Sequence, residues 1–160
     1  MEEDAQQRPD LPFVHIGVIV PRLEDAIVVY ERLGIRFMEP RVVHVDRLVE
    51  GGGESELDLR IVFSLGGPPN LELIEAVGEG IYGGSHVGGL HHVAILDSDP
   101  ARTSAQLVAQ GLGSVAAQYR RDGSMIVSYI EGVPGVRIEL LDAVVQDAIT
   151  AWIRGEDAEP

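Results

Sequence analysis

Two histidines and two glutamates recur at matching points of an internal repeat. His15 stands in Phe13-Val14-His15-Ile16-Gly17-Val18-Ile19-Val20, and His92 in Leu90-His91-His92-Val93-Ala94-Ile95-Leu96, 77 positions later. Glu72 stands in Asn70-Leu71-Glu72-Leu73-Ile74-Glu75, and Glu139 in Arg137-Ile138-Glu139-Leu140-Leu141-Asp142, 67 positions later. Two imidazoles and two carboxylates set into apolar, β-branched runs offer nitrogen and oxygen donors without sulfur. Such a set suits a divalent metal ion: Ni, Co, Mn, Fe(II) or Zn. Structural zinc sites usually carry Cys and close at four ligands, so an open site with room for water and substrate is expected.

Strand parity decides which of these groups can converge, because side chains alternate across a strand. In the first run Val14, Ile16, Val18 and Val20 share one face, and His15 shares the other with Gly17. In the second, His92 shares its face with Ala94, so the match of His15-Gly17 to His92-Ala94 selects His92 rather than His91 as the partner. The small neighbours are expected to leave room for metal and ligand. Glu72 lies between Leu71 and Leu73, and Glu139 between Ile138 and Leu140. If those neighbours pack on helices, both carboxylates look into a cavity.

The elements that must position these groups follow from periodicity. Residues 1–11 read as a disordered tail and 12–20 as a strand. Leu23, Ala26, Ile27, Tyr30 and Leu33 have the spacing of an amphipathic helix that Gly34 stops. Residues 35–38 and 42–49 read as extended, and Glu50-Gly51-Gly52-Gly53-Glu54-Ser55 as a flexible loop. Strands are expected over 58–65 and 70–77, joined at Gly66-Gly67-Pro68-Pro69. Residues 78–89, rich in Gly, link the halves. The second half repeats the first: a strand over 90–96, then a helix with Ser98 or Asp99 as N-cap and Pro100 in its first turn. Strands near 113–117, 124–130 and 136–142 complete it. A C-terminal helix over 143–154 and a polar tail at 155–160 close the chain. Each half is therefore β-α-β-β-β, module one over 12–77 and module two over 90–142. The fold class is α+β, with one domain over 12–142 built from two paired modules around a shared pocket.

Composition narrows the function classes. The chain has 160 residues, 45% hydrophobic and 24% charged, as in a folded globular protein. It has no Cys, hence neither disulfides nor a thiol nucleophile. All 12 basic residues are Arg, which excludes lysine Schiff-base chemistry. The net charge of −14 argues against nucleic-acid binding, which depends on neutralising phosphates. No apolar run approaches the roughly 20 residues of a membrane span, and residues 1–10 lack the features of a secretion signal. A cytoplasmic location is expected. Of the other candidate groups, His44 reads as a surface His, His86 and His91 as incidental to the connector, Arg120-Arg121 as a solvated turn, and Trp152 as part of a packing stripe. No Walker loop, dinucleotide fingerprint or G-x-S-x-G is present.

At His15 in HIGVIV, Glu72 in LELIEA, His92 in GLHHVAI and Glu139 in GVRIELLD, the chain resembles the vicinal oxygen chelate superfamily. That superfamily includes glyoxalase I, methylmalonyl-CoA epimerase, extradiol dioxygenases and bleomycin-resistance proteins. The resemblance covers about residues 12–142 and implies a U-shaped mixed sheet around a metal held by His15, Glu72, His92 and Glu139, with helices outside. The segment 71–95 is most similar to methylmalonyl-CoA epimerase. That likeness implies a proton abstracted next to a thioester or ketone carbonyl, the metal holding the enolate and Glu139 acting as both ligand and base. It also implies a second acid/base carboxylate at Glu56, or at Glu54 if the Gly-rich loop shifts the alignment. A glyoxalase I-like lyase is the alternative with the same ligand set. A dioxygenase would leave one Glu unexplained, and a non-catalytic antibiotic-binding module would need no metal. Related modules pair within or between chains, and by analogy a homodimer is expected.

Overall fold

The computed structural model describes residues 13–156. The tail expected at 1–11 and the last residues, 157–160, lie outside the described residues. Module one runs β1 (Phe13–Val20), α1 (Leu23–Glu31), β2 (Arg41–Glu50), β3 (Gly53–Phe63) and β4 (Asn70–Glu75). Module two runs β5 (Leu90–Asp97), α2 (Pro100–Ala109), β6 (Gly113–Tyr119), β7 (Met125–Val133) and β8 (Val136–Asp142). The chain ends in α3 (Ala143–Ile153). No helix among the described residues is long and apolar enough to cross a membrane.

The eight strands form one mixed, strongly curved sheet in the order β1-β4-β3-β2-β6-β7-β8-β5, closed into a barrel. In each module the first strand pairs in parallel with the last, β1 with β4 and β5 with β8. The modules meet antiparallel at two seams, β1 with β5 and β2 with β6. The U-shaped sheet implied by the family resemblance is thus drawn shut.

The apolar faces sort as strand parity requires. Leu59, Ile61, Phe63 and Ile74 point inward into the main core. Val62, Leu73 and Val20 point outward and pack with Leu23 of α1. Full burial of Leu23 and Leu73 stabilises the helix–sheet contact by about 1.5–3 kcal/mol for each side chain. Because Leu71 and Leu73 belong to this outer cluster, Glu72 between them must face inward.

Local chemistry sets the helix starts. Asp99 caps α2, accepting from the Arg102 backbone N–H at 3.1 Å, which decides between Ser98 and Asp99. The start of α1 has no local side-chain cap, and instead Glu75 at the end of β4 accepts from Leu23 N–H at 2.9 Å. The segment expected to be a flexible loop at 50–55 is a tight hairpin. Glu50 pairs with Gly53, Val49 with Glu54 and Leu48 with Ser55. Gly51 and Gly52 take φ of 57° and 80°, the left-handed conformations a two-residue primed turn demands. Three consecutive glycines signal flexibility by composition, yet two of them satisfy this turn and the third begins β3.

Candidate metal centre

His15, Glu72, His92 and Glu139 come together at the buried end of the barrel. The register explains how. Gly17 of β1 lies level with both Glu72 on β4 and His92 on β5. Ala94 of β5 lies level with both His15 on β1 and Glu139 on β8. The four side chains thus project from four adjacent strands around the β1–β5 seam, two from each module.

Nε2 of His15 stands 3.1 Å from Nε2 of His92, 2.9 Å from Oε2 of Glu139 and 3.5 Å from Oε2 of Glu72. Nε2 of His92 lies 3.3 Å from Oε2 of Glu72 and 3.4 Å from Oε2 of Glu139. One donor atom each from His15, Glu72 and His92 lie within 4.8 Å of one another, and Glu139 joins them through the two imidazoles. These separations match ligands sharing an ion about 2.0–2.2 Å from each. All four residues are buried. Oε2 of Glu139 is buried, and although His15 Nε2 stands 2.9 Å away it receives no hydrogen bond of good geometry, an uncommon state for a carboxylate oxygen and one a cation relieves. The donor set therefore fits a divalent ion.

Charge coupling is strong. Burial, the largest influence on His15, disfavours its charged form, but Glu139 and Glu72 more than offset this and hold its pKa above the usual value. Burial likewise pushes the Glu139 carboxyl up, but the His92 and His15 charges and the Tyr129 hydrogen bond outweigh it and bring it down to about 2. Without a metal, His15 and Glu139 thus form a proton-bearing pair.

Three groups missed by sequence reading surround the donors. Tyr129 donates to Oε1 of Glu139 at 2.7 Å, and the Tyr82 hydroxyl lies 2.8 Å from that of Tyr129. Gln118 donates to the Tyr82 oxygen. Burial, the main cause, raises both phenol pKa values, so both stay protonated. The chain Gln118–Tyr82–Tyr129–Glu139 ties up one carboxylate oxygen and leaves the other facing the imidazoles. Tyr82 comes from the Gly-rich connector and Gln118 from β6, positions without a local signal.

His91 corrects an expectation. Read as incidental, it is 2% exposed, with Nδ1 2.8 Å from Nδ1 of His92 and Nε2 2.8 Å from the Ile81 carbonyl oxygen. Burial and then the neighbouring His92 lower its pKa to about 3. The doublet His91-His92 was the available signal, but parity alone turns His91 away from the donors, and only the folded connector brings it a partner. Gly17 corrects another expectation. Its missing side chain does not leave space for ligand: the His92 ring fills it, and a Cβ there would overlap that ring.

The donors open into a cavity of about 590 Å³. Its walls are largely apolar, with Val45, Leu59 and Ile61 from module one and Val127 and Leu141 from module two. From β8, α3 reaches over to module one and adds Val145, Ile149 and Trp152. Trp152 meets Phe63 edge-on at 5.6 Å, and the Arg41 guanidinium lies 4.8 Å from its ring centre. His44 lines the outer part of the cavity. Glu56 is not among the lining residues: its side chain is 65% exposed and lies 3.1 Å from Nε2 of His44. Glu54 is exposed too and pairs with Arg47 at 3.3 Å.

Two βαβββ modules closed around a buried cavity are the architecture of vicinal oxygen chelate proteins. A sequence profile of the Glyoxalase/Bleomycin resistance protein/Dioxygenase superfamily matches residues 14–129, and the chain belongs to that superfamily. Among solved structures, methylmalonyl-CoA epimerase from Mycobacterium tuberculosis is 22% identical with a TM-score of 0.59, over 86% of this chain and 91% of that one. A hypothetical protein from Bacillus halodurans C-125 is 18% identical with a TM-score of 0.60, over 84% of this chain and 95% of that one. Streptomyces coelicolor methylmalonyl-CoA epimerase in complex with 2-nitronate-propionyl-CoA is 18% identical with a TM-score of 0.55, over 83% of this chain and 98% of that one. No curated sequence matches the chain. At these identities the structural likeness is one of fold.

Proposed function

We propose that this protein is a metal-dependent isomerase or epimerase that moves a proton at a carbon next to a carbonyl group of a small ketone or thioester. The observation that carries the reading is the convergence of four buried donor atoms, one of them without a hydrogen bond of good geometry, at the end of an apolar cavity. His15, Glu72, His92 and Glu139 would hold the ion. A divalent ion there supplies Lewis-acid charge that favours negative charge on the substrate carbonyl oxygen. The fold shared with two methylmalonyl-CoA epimerases supports the substrate class.

In this reading the Glu139 carboxylate takes the α-proton, and the C–H electron pair passes to the carbonyl oxygen. Either Glu139 returns the proton to the same face, or Glu72, protonated from solvent, delivers one to the opposite face while Glu139 releases its own to solvent. Tyr129 keeps Oε1 from competing for that proton. Glu72 is the second carboxylate lining the cavity and serves the opposite face. The apolar walls seat the acyl portion and exclude water, which strengthens electrostatic interactions at the donors. Glu56 stays outside this set because it is exposed beside His44.

The glyoxalase I-like lyase is the second reading, favoured by one specific feature: Glu72 completes a two-His, two-Glu set. Elemental mass spectrometry of the purified protein beside His92→Ala tests the metal, with near-stoichiometric ion expected only in the wild type. Deuterium exchange from solvent into acyl-CoA and keto-acid panels tests the isomerase. Consumption of the glutathione hemithioacetal of methylglyoxal, without such exchange, would select the lyase. Absence of metal after reconstitution with Ni, Co, Mn and Zn would sink both and leave a ligand-binding module.

A further inference from the structure

The connector between the modules does more than join them. Ile81 and Tyr82, consecutive in this segment, reach the supports of both module-two donors. The Tyr82 hydroxyl meets Tyr129, which holds Glu139. The Ile81 carbonyl meets His91, which meets His92. With both imidazoles neutral, the second path has only one consistent assignment of hydrogens. A carbonyl oxygen only accepts, so Nε2 of His91 carries the hydrogen in that bond. A neutral imidazole has one N–H, so Nδ1 of His91 is a lone pair. The facing Nδ1 of His92, 2.8 Å away, must then donate, which leaves the lone pair of His92 on Nε2. That is the atom 3.1 to 3.4 Å from the other three donor atoms.

Resting on the metal-site reading above, we propose that His91 is a positioning residue that fixes His92 in the Nδ1–H tautomer, with the Ile81 carbonyl as its anchor, so that the connector presets the Nε2 donor before an ion arrives. The relay is braced at each step. The Tyr82 ring stacks on His91 with centroids 5.8 Å apart, and Arg137 donates to the His91 backbone carbonyl at 3.2 Å. The Ile81 N–H donates to Oε2 of Glu50 at 2.7 Å, which ties the connector to the end of β2. A Cβ at Gly80 would overlap the Glu50 carboxylate, and one at Gly83 would come within 2.8 Å of the Glu79 backbone. These two glycines are therefore packing requirements of the connector. Metal-bound imidazoles generally depend on such a partner for ring orientation and tautomer.

The test uses histidine-labelled, metal-free protein and long-range proton–nitrogen NMR, which reads the tautomer of each ring. His92 is expected as Nδ1–H in the wild type. In His91→Phe, which keeps an aromatic ring and loses both hydrogen bonds, His92 should gain Nε2–H, and the Kd for Co(II) by chelator competition should rise about 10–100-fold. His91→Gln, whose amide accepts from His92 and donates to Ile81, should restore the tautomer and bring Kd to within about threefold of wild type, well inside the range for losing such a partner. A bare Nδ1 at His92, with its hydrogen on Nε2 alone, in the wild type overturns the proposal, and that spectrum decides even if the Phe variant does not fold. An unchanged tautomer and Kd in a folded Phe variant also overturns it. A wild type that binds no metal defeats the proposed function instead, while the tautomer spectrum still decides the relay.

Discussion

The two modules present the same donors in the same register but hold them differently. His15 and Glu72 of module one lean on apolar neighbours: His15 sits edge-on to Phe63 at 5.4 Å. Among the described residues, no hydrogen bond reaches Nδ1 of His15 or the Glu72 carboxylate from outside the donor cluster. His92 and Glu139 of module two are each gripped from behind, by His91 and by Tyr129. The repeat thus preserved the donors and diverged in their supports. If the proposed metal centre forms, one half of it would be preset by its supports and the other left to adjust.

The strongest way to break the comparison is to remove a donor from each side. His92→Ala and His15→Ala should both reduce bound metal to background by elemental mass spectrometry, because a site needs its donors whatever supports them. Metal retained in either would remove that residue from the ligand set. Next comes the pair of small residues at the seam. Gly17→Ala pushes a methyl group into the His92 ring, and should lose metal and destabilise the fold by about 1–3 kcal/mol in denaturant unfolding. Its counterpart Ala94→Gly opens no clash and should cost about 0.5–1 kcal/mol with metal retained. Equal behaviour of the two would mean that the seam is symmetric after all.

The supports themselves give smaller effects. Tyr129→Phe leaves Oε1 of Glu139 buried and unpaired, a cost of about 1–3 kcal/mol in stability, with metal affinity falling about 10–100-fold. Phe63→Leu behind His15 removes no hydrogen bond and should cost under about 1.5 kcal/mol with little change in affinity. The smallest effect is in pH. The pKa of His15 is raised while metal is absent, so near neutrality the empty site carries a proton that an ion must displace. Affinity should therefore rise with pH until that proton is lost, and calorimetry in buffers of different ionisation enthalpy should register proton release on binding. Affinity that is flat across the neutral range would show that His15 carries no such proton.

Much of this molecule was legible without coordinates. Period-2 alternation marked the strands, the spacing of Leu23, Ile27 and Tyr30 marked α1, and the Asp99-Pro100 pair marked the start of α2. Repetition with matched parity singled out His15, Glu72, His92 and Glu139 as a set, because a strand's facing pattern is written in its own residues. Expectation and structure differ where a contact joins parts that no local pattern links. The glycines at 51–52 read as slack, but cross-strand pairing from Glu50 to Gly53 makes them a turn. Glu56 was implied as an acid/base carboxylate only by the likeness to methylmalonyl-CoA epimerase, and the placement of β3 beside His44 leaves it on the exposed side.

By itself, then, the sequence determined the order of elements, the doubling of the module and the recurrence of four candidate donors, each marked by a short window of chain. Tertiary structure alone decided the closure of the barrel, the roles of His91, Tyr82, Tyr129 and Gln118, and the filling of the space beside Gly17 by His92. The physical reason is range: Tyr82 and Tyr129 are 47 residues apart and Glu50 and Ile81 are 31 apart. Whether such groups meet is set by how the modules pack, which no stretch of either module specifies alone.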